Sequence, residues 1–271
     1  MLVAGVGHIG ECVMYGDGKR RSAAVRHGLF AFALLSWAAA TRADEVQLAV
    51  AANFAGPVEQ IAAEFARETG HKAVVSIGST GKFYAQIRNG APFEILLAAD
   101  QATPQKLQDD GLVGEGRRFT YAVGKLVLYS ARPGYVDPDG KVLKKGAFQK
   151  LALANPQTAP YGAAGLEALK ALGVWETVQG KVVQGDSIGQ AFEFVASGNA
   201  ELGFVALSQV AAPGKPASGS WWLVPATLYK PILQDAVLLK KGEGHPGALA
   251  FMDFLRSDKV KRLIQSYGYG S

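Results

Sequence analysis

The chain has 271 residues, nearly twice the roughly 150 of a common single domain, so two compact lobes are expected, each with its own core. Its 49% hydrophobic and 19% charged residues exclude a disordered tail, a coiled coil and a collagen-like rod. The net charge of +5 is uneven: residues 1–43 carry five Lys or Arg against Glu11 and Asp17. The remainder is left at +2 with no basic run, which excludes a nucleic-acid face.

Lys19-Arg20-Arg21 and Arg26 precede an apolar run from Leu29 to Ala40, and Thr41-Arg42-Ala43 follows with small residues on either side of Arg42. The pattern is that of a secretory signal cleaved after Ala43, which starts the mature chain at Asp44. As a helix the run reaches only about 18 Å, short of a bilayer span. Met14 is a more ordinary start, which makes residues 1–13 a candidate gene-model extension. The only cysteine, Cys12, lies before the apolar run. The mature chain therefore has no disulfide, no catalytic thiol and no lipid-anchored cysteine at its start, and is expected to be soluble.

From Val46 onward the pattern is strand–helix alternation. Val46–Ala51 reads as a strand. Pro57 stands at a first helical position, and Val58, Ile61, Ala62 and Phe65 share one face before Gly70. Strand Lys72–Ile77, helix Phe83–Asn89, strand Phe93–Ala99 and a helix from Thr103-Pro104 to Gly111 follow. Thr120–Ser130 reads as one long strand broken near Gly124. A second series comprises Leu151–Ala154, Ala163–Leu172, Lys181–Gln184, Ile188–Ala196 and Leu202–Ala206. Strand Pro231–Leu239 and helices Pro246–Phe254 and Lys259–Ser266 close the chain. The two lobes are expected to be joined by strands crossing near Gly124 and Lys230, with a cleft between them.

Four joints carry small polar residues: Ala51-Ala52-Asn53, Gly78-Ser79-Thr80-Gly81, Asn155 through Gly162, and Gly185-Asp186-Ser187-Ile188. In open α/β sheets ligands bind at the carboxyl ends of strands. A helix start offers unpaired N–H groups and about half a positive charge, so several starts aimed at one point bind an anion without Lys or Arg. Each joint taken alone is better explained as a helix cap, since Ser, Thr and Asn cap helices whether or not a ligand is present. Lys82 follows Gly81, but Ser76 and Phe83 stand where a phosphate loop needs Gly and Ser or Thr. A nucleophile elbow is absent. His71 and His245 lack metal-ligand spacing and read as surface histidines, so no bare metal cation is expected. Tyr161 reads equally as a helix-start aromatic covering the cleft, and Trp221-Trp222 and Tyr267/Tyr269 as packing or surface aromatics.

Seven motifs in register carry a resemblance. They are Ala51-Ala52-Asn53-Phe54, Gly78-Ser79-Thr80-Gly81 with Tyr84-Ala85-Gln86-Ile87, Asn89-Gly90-Ala91-Pro92, and Ala98-Ala99-Asp100. Gly124-Lys125-Leu126-Val127-Leu128, Asn155-Pro156 with Ala159-Pro160-Tyr161-Gly162, and Gly203-Phe204-Val205-Ala206-Leu207 complete the set. Over residues 46–270 the chain resembles the periplasmic molybdate-binding proteins of ABC importers. The resemblance implies an α/β, two-lobed periplasmic-binding-protein fold of type II, each lobe a mixed sheet flanked by helices. Residues 44–124 and 229–271 would form one lobe and 125–228 the other. It implies a monomer in the periplasm that takes molybdate or tungstate as ligand, has no cofactor, and delivers to permease and ATPase subunits.

By the same resemblance Asn53 and Thr80 are side-chain donors, with Ala52 and Ser79 beside them. Tyr161 and Ile188 give backbone N–H groups, and Ser187 adjoins them. The match is to the branch with Asn at position 53. Ala206 stands where better-known members place a tyrosine hydroxyl, which shifts coordination toward Asn53. Other readings are a binder of sulfate or phosphate, a sensor subunit, and a secreted hydrolase or transferase. The last is disfavoured because Asp100 and Asp186 are the only carboxylates at the joints and no nucleophile has a base at hand.

Overall fold

The computed structural model describes residues 44–214 and 218–270. The expected leader, Cys12 and the cleavage site lie outside them. In chain order the first elements are β1 (Glu45–Ala51), a 3-10 turn (Ala52–Phe54), α1 (Ala55–Thr69), β2 (Lys72–Gly78), α2 (Thr80–Arg88), β3 (Ile95–Leu97), α3 (Ala102–Asp109) and β4 (Val113–Gly124). Then come β5 (Leu126–Ser130), α4 (Val142–Lys145), β6 (Leu151–Ala154), α5 (Pro160–Ala171), α6 (Trp175–Val178), β7 (Val182–Gly185) and α7 (Ile188–Ala196). The last are β8 (Leu202–Ala206), α8 (Leu207–Val210), β9 (Ser220–Leu223), β10 (Ile232–Leu239), α9 (Pro246–Leu255) and α10 (Asp258–Ser266).

These elements make two five-stranded mixed sheets, β2-β1-β3-β10-β4 and β7-β6-β8-β5-β9. In the first, β1 runs parallel to β2 and β3 while β10 runs antiparallel to β3 and β4. Val46, Leu48 and Val50 of β1 pack with Phe54, Ile61 and Phe65, whereas Ala49 faces Phe83, Leu96 and Leu107. Burial on both faces is why β1 reads as a continuous apolar run and not as an alternating one. In the second sheet Leu126, Leu128, Leu153 and Phe204 pack with Ala168, Leu169 and Val195 of α5 and α7. The chain enters this sheet from β4 through Lys125 and returns by β10, and Gly124 and Ile232 are paired where it crosses.

Several element bounds differ from the sequence reading. β4 starts at Val113, well before Thr120, because Gly114 and Gly116 hide its alternation. β3 is shortened to Ile95–Leu97. β9 was not expected: it is a short edge strand on β5 that turns Trp222 inward and leaves Trp221 and Leu223 exposed. α5 begins at Pro160, whose fixed φ suits a first helical position. Pro57 lies two residues inside α1 instead of at its start. The two histidines, expected as separate surface residues, meet at Asp44: its Oδ2 is 3.8 Å from His71 Nδ1 and 3.6 Å from His245 Nε2. Among the described residues no cluster of His, Cys, Asp or Glu is placed to hold a metal ion, and no helix is long and apolar enough to cross a membrane.

Candidate functional site

The carboxyl ends of β1, β2 and β7 turn directly into helical structure, and β6 reaches α5 through a short joint. All four helical starts border one cavity, two from each sheet: Ala52 and Asn53, Ser79 and Thr80, Pro160 and Tyr161, and Ile188. Ala99, after β3, closes the wall. The cavity is small, about 190 Å3 of space between atoms, part of it open to solvent. Its size suits a small ion. None of the side chains lining it is charged. First-turn N–H groups such as those of Thr80, Tyr161 and Ile188 have no acceptor within their own helices, so the wall is rich in positive dipole ends.

Of the residues expected from sequence, Ala52, Asn53, Ser79, Thr80, Tyr161 and Ile188 are brought together here. Ser187 is not among the lining residues. Its Oγ accepts from Gln190 N at 3.3 Å and caps α7, and the residue borders an outer hollow with Lys82 and Asp186. Those two charged side chains, one beside each sheet, form an exposed ion pair across the cleft at 2.6 Å. Gly81 N donates to Thr158 O across the same seam at 2.9 Å, an approach that a side chain at 81 would obstruct.

The polar atoms around the cavity divide into engaged and bare. Thr80 Oγ1 accepts from Ala99 N at 3.0 Å, which leaves its own O–H free to donate. Ser79 Oγ is buried without a partner. Asn53 Nδ2 donates to Gln234 Oε1 at 2.8 Å and Tyr269 OH at 2.9 Å, and Asn53 Oδ1 is buried and bare. Asn53 therefore does not cap α1 as its position at a helix start suggested; its amide is turned into a buried network. Ser208 Oγ and Tyr269 OH both donate toward Asn53 O at 2.8 Å. Buried polar atoms are nearly always paired in folded proteins, so a bare one beside a cavity is open to a partner from a ligand or from water.

Tyr161 is fully buried, and its hydroxyl donates to Gln234 Oε1 at 3.1 Å, bridging from the second sheet to β10 of the first. Burial, with the neighbouring phenols, pushes Tyr161 and Tyr121 well above the usual tyrosine range, and burial also raises Tyr269. All three stay protonated, neutral donors over any physiological pH.

The family described as bacterial extracellular solute-binding protein matches residues 46–270. The chain belongs to this family. Molybdate-binding protein ModA of Azotobacter vinelandii is 58% identical to this solute-binding protein over 233 residues, covering 86% of this chain and 92% of that one. The protein of the same name from Rhodobacter capsulatus is 50% identical over 246 residues, 90% and 96% of the two chains. The solved periplasmic molybdate-binding protein of A. vinelandii superposes with a TM-score of 0.81 at 44% identity, covering 83% of this chain and 99% of that one. The fold is thus the two-lobed one of periplasmic binding proteins, two mixed sheets flanked by helices.

In this solute-binding protein the sequence reading missed Gln234, Tyr269 and Ser208, which bond to Asn53, and Tyr121, which bonds to Gln234. One signal was present: Gln234 and Asp235 are polar residues inside the otherwise apolar run of β10, and both are buried. Tyr269 was read as packing; it is buried, but its hydroxyl is engaged at the site.

Proposed function

We propose that the protein captures molybdate, and tungstate by the same chemistry, and delivers it to the permease of an ABC importer. The observation that carries this reading is a small cavity without a charged side chain, ringed by helix starts from both sheets and with the buried Ser79 hydroxyl bare beside it. A tetrahedral dianion fits such a wall. Its oxygens are deprotonated at neutral pH and accept only, and each hydrogen bond to a charged group contributes about 1.5–3 kcal/mol. The names of the relatives agree with the same cargo.

The donors in this reading are the side chains of Ser79 and Thr80, that of Asn53 once its amide turns an N–H toward the ion, the backbone at Ala52, and the N–H groups of Tyr161 and Ile188. Ser187 holds the last of these in place by capping α7. The lobes are residues 44–124 with 229–271, and 125–228, and they close on the ion. The chain acts as a monomeric binding protein, not an enzyme, in the periplasm after loss of residues 1–43.

Thermal melting in the presence of molybdate, tungstate, sulfate, phosphate and chromate tests the reading. At one hundred times the dissociation constant a ligand adds about 2.7 kcal/mol, a rise of roughly 5–10 °C for a chain of this size. Molybdate and tungstate are expected to produce it and sulfate at most a small fraction. Equal shifts from sulfate and molybdate at equal concentration would remove the assignment to molybdate.

A further inference from the structure

Gln234 is completely buried in β10, touches no solvent, and holds both lobes' polar side chains together. Tyr121 OH donates to Ala98 O at 3.2 Å and so accepts from Gln234 Nε2, 2.9 Å away. That turns Gln234 Oε1 toward Asn53 Nδ2 and the Tyr161 hydroxyl. With Tyr269 taking the second N–H, Asn53 is left with a bare carbonyl oxygen. Asn53 cannot reverse alone, because its Oδ1 would then oppose Gln234 Oε1. If both amides make a half-turn together, Gln234 Nε2 donates to Asn53 Oδ1, Tyr121 OH donates to Gln234 Oε1, and Asn53 Nδ2 stands where the bare oxygen stood.

We infer that Gln234 is the positioning residue that decides which end of the Asn53 amide is offered to the ligand. It does so through the paired orientation of the two amides and receives Tyr161 from the opposite lobe in the same step. A fully deprotonated oxyanion selects the arrangement with the Asn53 N–H bare; an anion that carries a proton selects the arrangement with the oxygen bare. The inference rests on the proposal that Asn53 contacts the anion.

A double-mutant cycle read by calorimetry with sodium molybdate tests it. Gln234→Leu is expected to weaken binding about ten- to a hundredfold, the range for an ill-placed hydrogen bond to a charged group. The same change made on top of Asn53→Ala is expected to cost only about fivefold, the share of the Tyr161 bond to Gln234 that does not involve Asn53. Tyr121→Phe deletes one oxygen and keeps the packing, so it serves should Gln234→Leu not fold: a loss of about three- to tenfold is expected, again only while Asn53 is present. Losses that add in the double variants, unchanged affinity, or a gain would overturn the inference and leave the site standing. Normal binding by Asn53→Ala would overturn the placement of Asn53 and the inference with it, and failure of the unaltered protein to bind molybdate would overturn the proposed function itself.

Discussion

Gly124 ends β4 at the point where the chain crosses between the sheets, and the fit of Tyr161 depends on it having no side chain. A Cβ there would overlap the Tyr161 hydroxyl and lie 2.9 Å from Gln234 Oε1. The phenol belongs to α5, on the opposite lobe, so a Gly124→Ala substitution clashes only when the lobes are together. Overpacking costs about 1–3 kcal/mol and the displaced Tyr161–Gln234 hydrogen bond about 1 more. A penalty of about 2–4 kcal/mol on the closed form weakens ligand binding roughly thirtyfold to several hundredfold. The unfolded chain loses freedom when Gly becomes Ala, and Gly124 does not have a positive φ, so the ligand-free protein should melt at the same temperature or slightly higher. Calorimetry with molybdate and a ligand-free melt therefore give opposite signs. An unaltered affinity would refute the argument. A ligand-free protein destabilised in step with the affinity would do so too, because it would show that Tyr161 never leaves Gly124.

Ser79→Ala removes a buried hydroxyl that has no partner to lose; ligand-free stability should hold or rise, and molybdate affinity should fall about tenfold or more by calorimetry. Asp100 gives a pH test. Burial raises its carboxyl against the lowering pull of hydrogen bonds from Thr103 N and Oγ1. A raised acid contributes stability that is present below its ordinary value and is lost as the pH climbs through the raised one. Asp100→Asn keeps an acceptor for Thr103 N without the charge. Its melting temperature should equal or exceed the native value at pH 7, and the difference should vanish toward pH 4; a lower value at pH 7 would show that the ionised carboxylate is worth more than its burial costs.

The parallel β1-β2-β3 core and the helices that follow each strand were legible because periodicity survives in short elements: Val58, Ile61 and Phe65 all face one core, and Ile188–Ala196 has the bounds expected. The lining of the cavity was legible for the same reason, since every contributor but Ala99 lies within one of the four polar joints. What stayed hidden was set by long-range pairing. β9 exists because β5 has an open edge for it, and β4 is extended by pairing with β10 across two register shifts. Asn53 is joined to Gln234 and Tyr269 over 181 and 216 positions. Local sequence could place Asn53 at the end of a strand, but only the fold shows that its amide is committed to those neighbours and not to the helix start beside it.

The division of donors between the two sheets bears on release as much as on capture. A site built on Lys or Arg would keep much of its attraction for an anion after the lobes part, since a unit charge still acts over several ångströms. Helix-start N–H groups act over the first turn and at hydrogen-bond distance. Separation would take Tyr161 N–H and Ile188 N–H away from an ion resting on Asn53, Ser79 and Thr80. Two hydrogen bonds to a charged group amount to about 3–6 kcal/mol, so the open form should hold the ion roughly a hundredfold to ten-thousandfold more weakly than the closed one. Neutral donors thus make affinity a steep function of closure: a partner that only holds the lobes apart would discharge the ion without competing for it chemically.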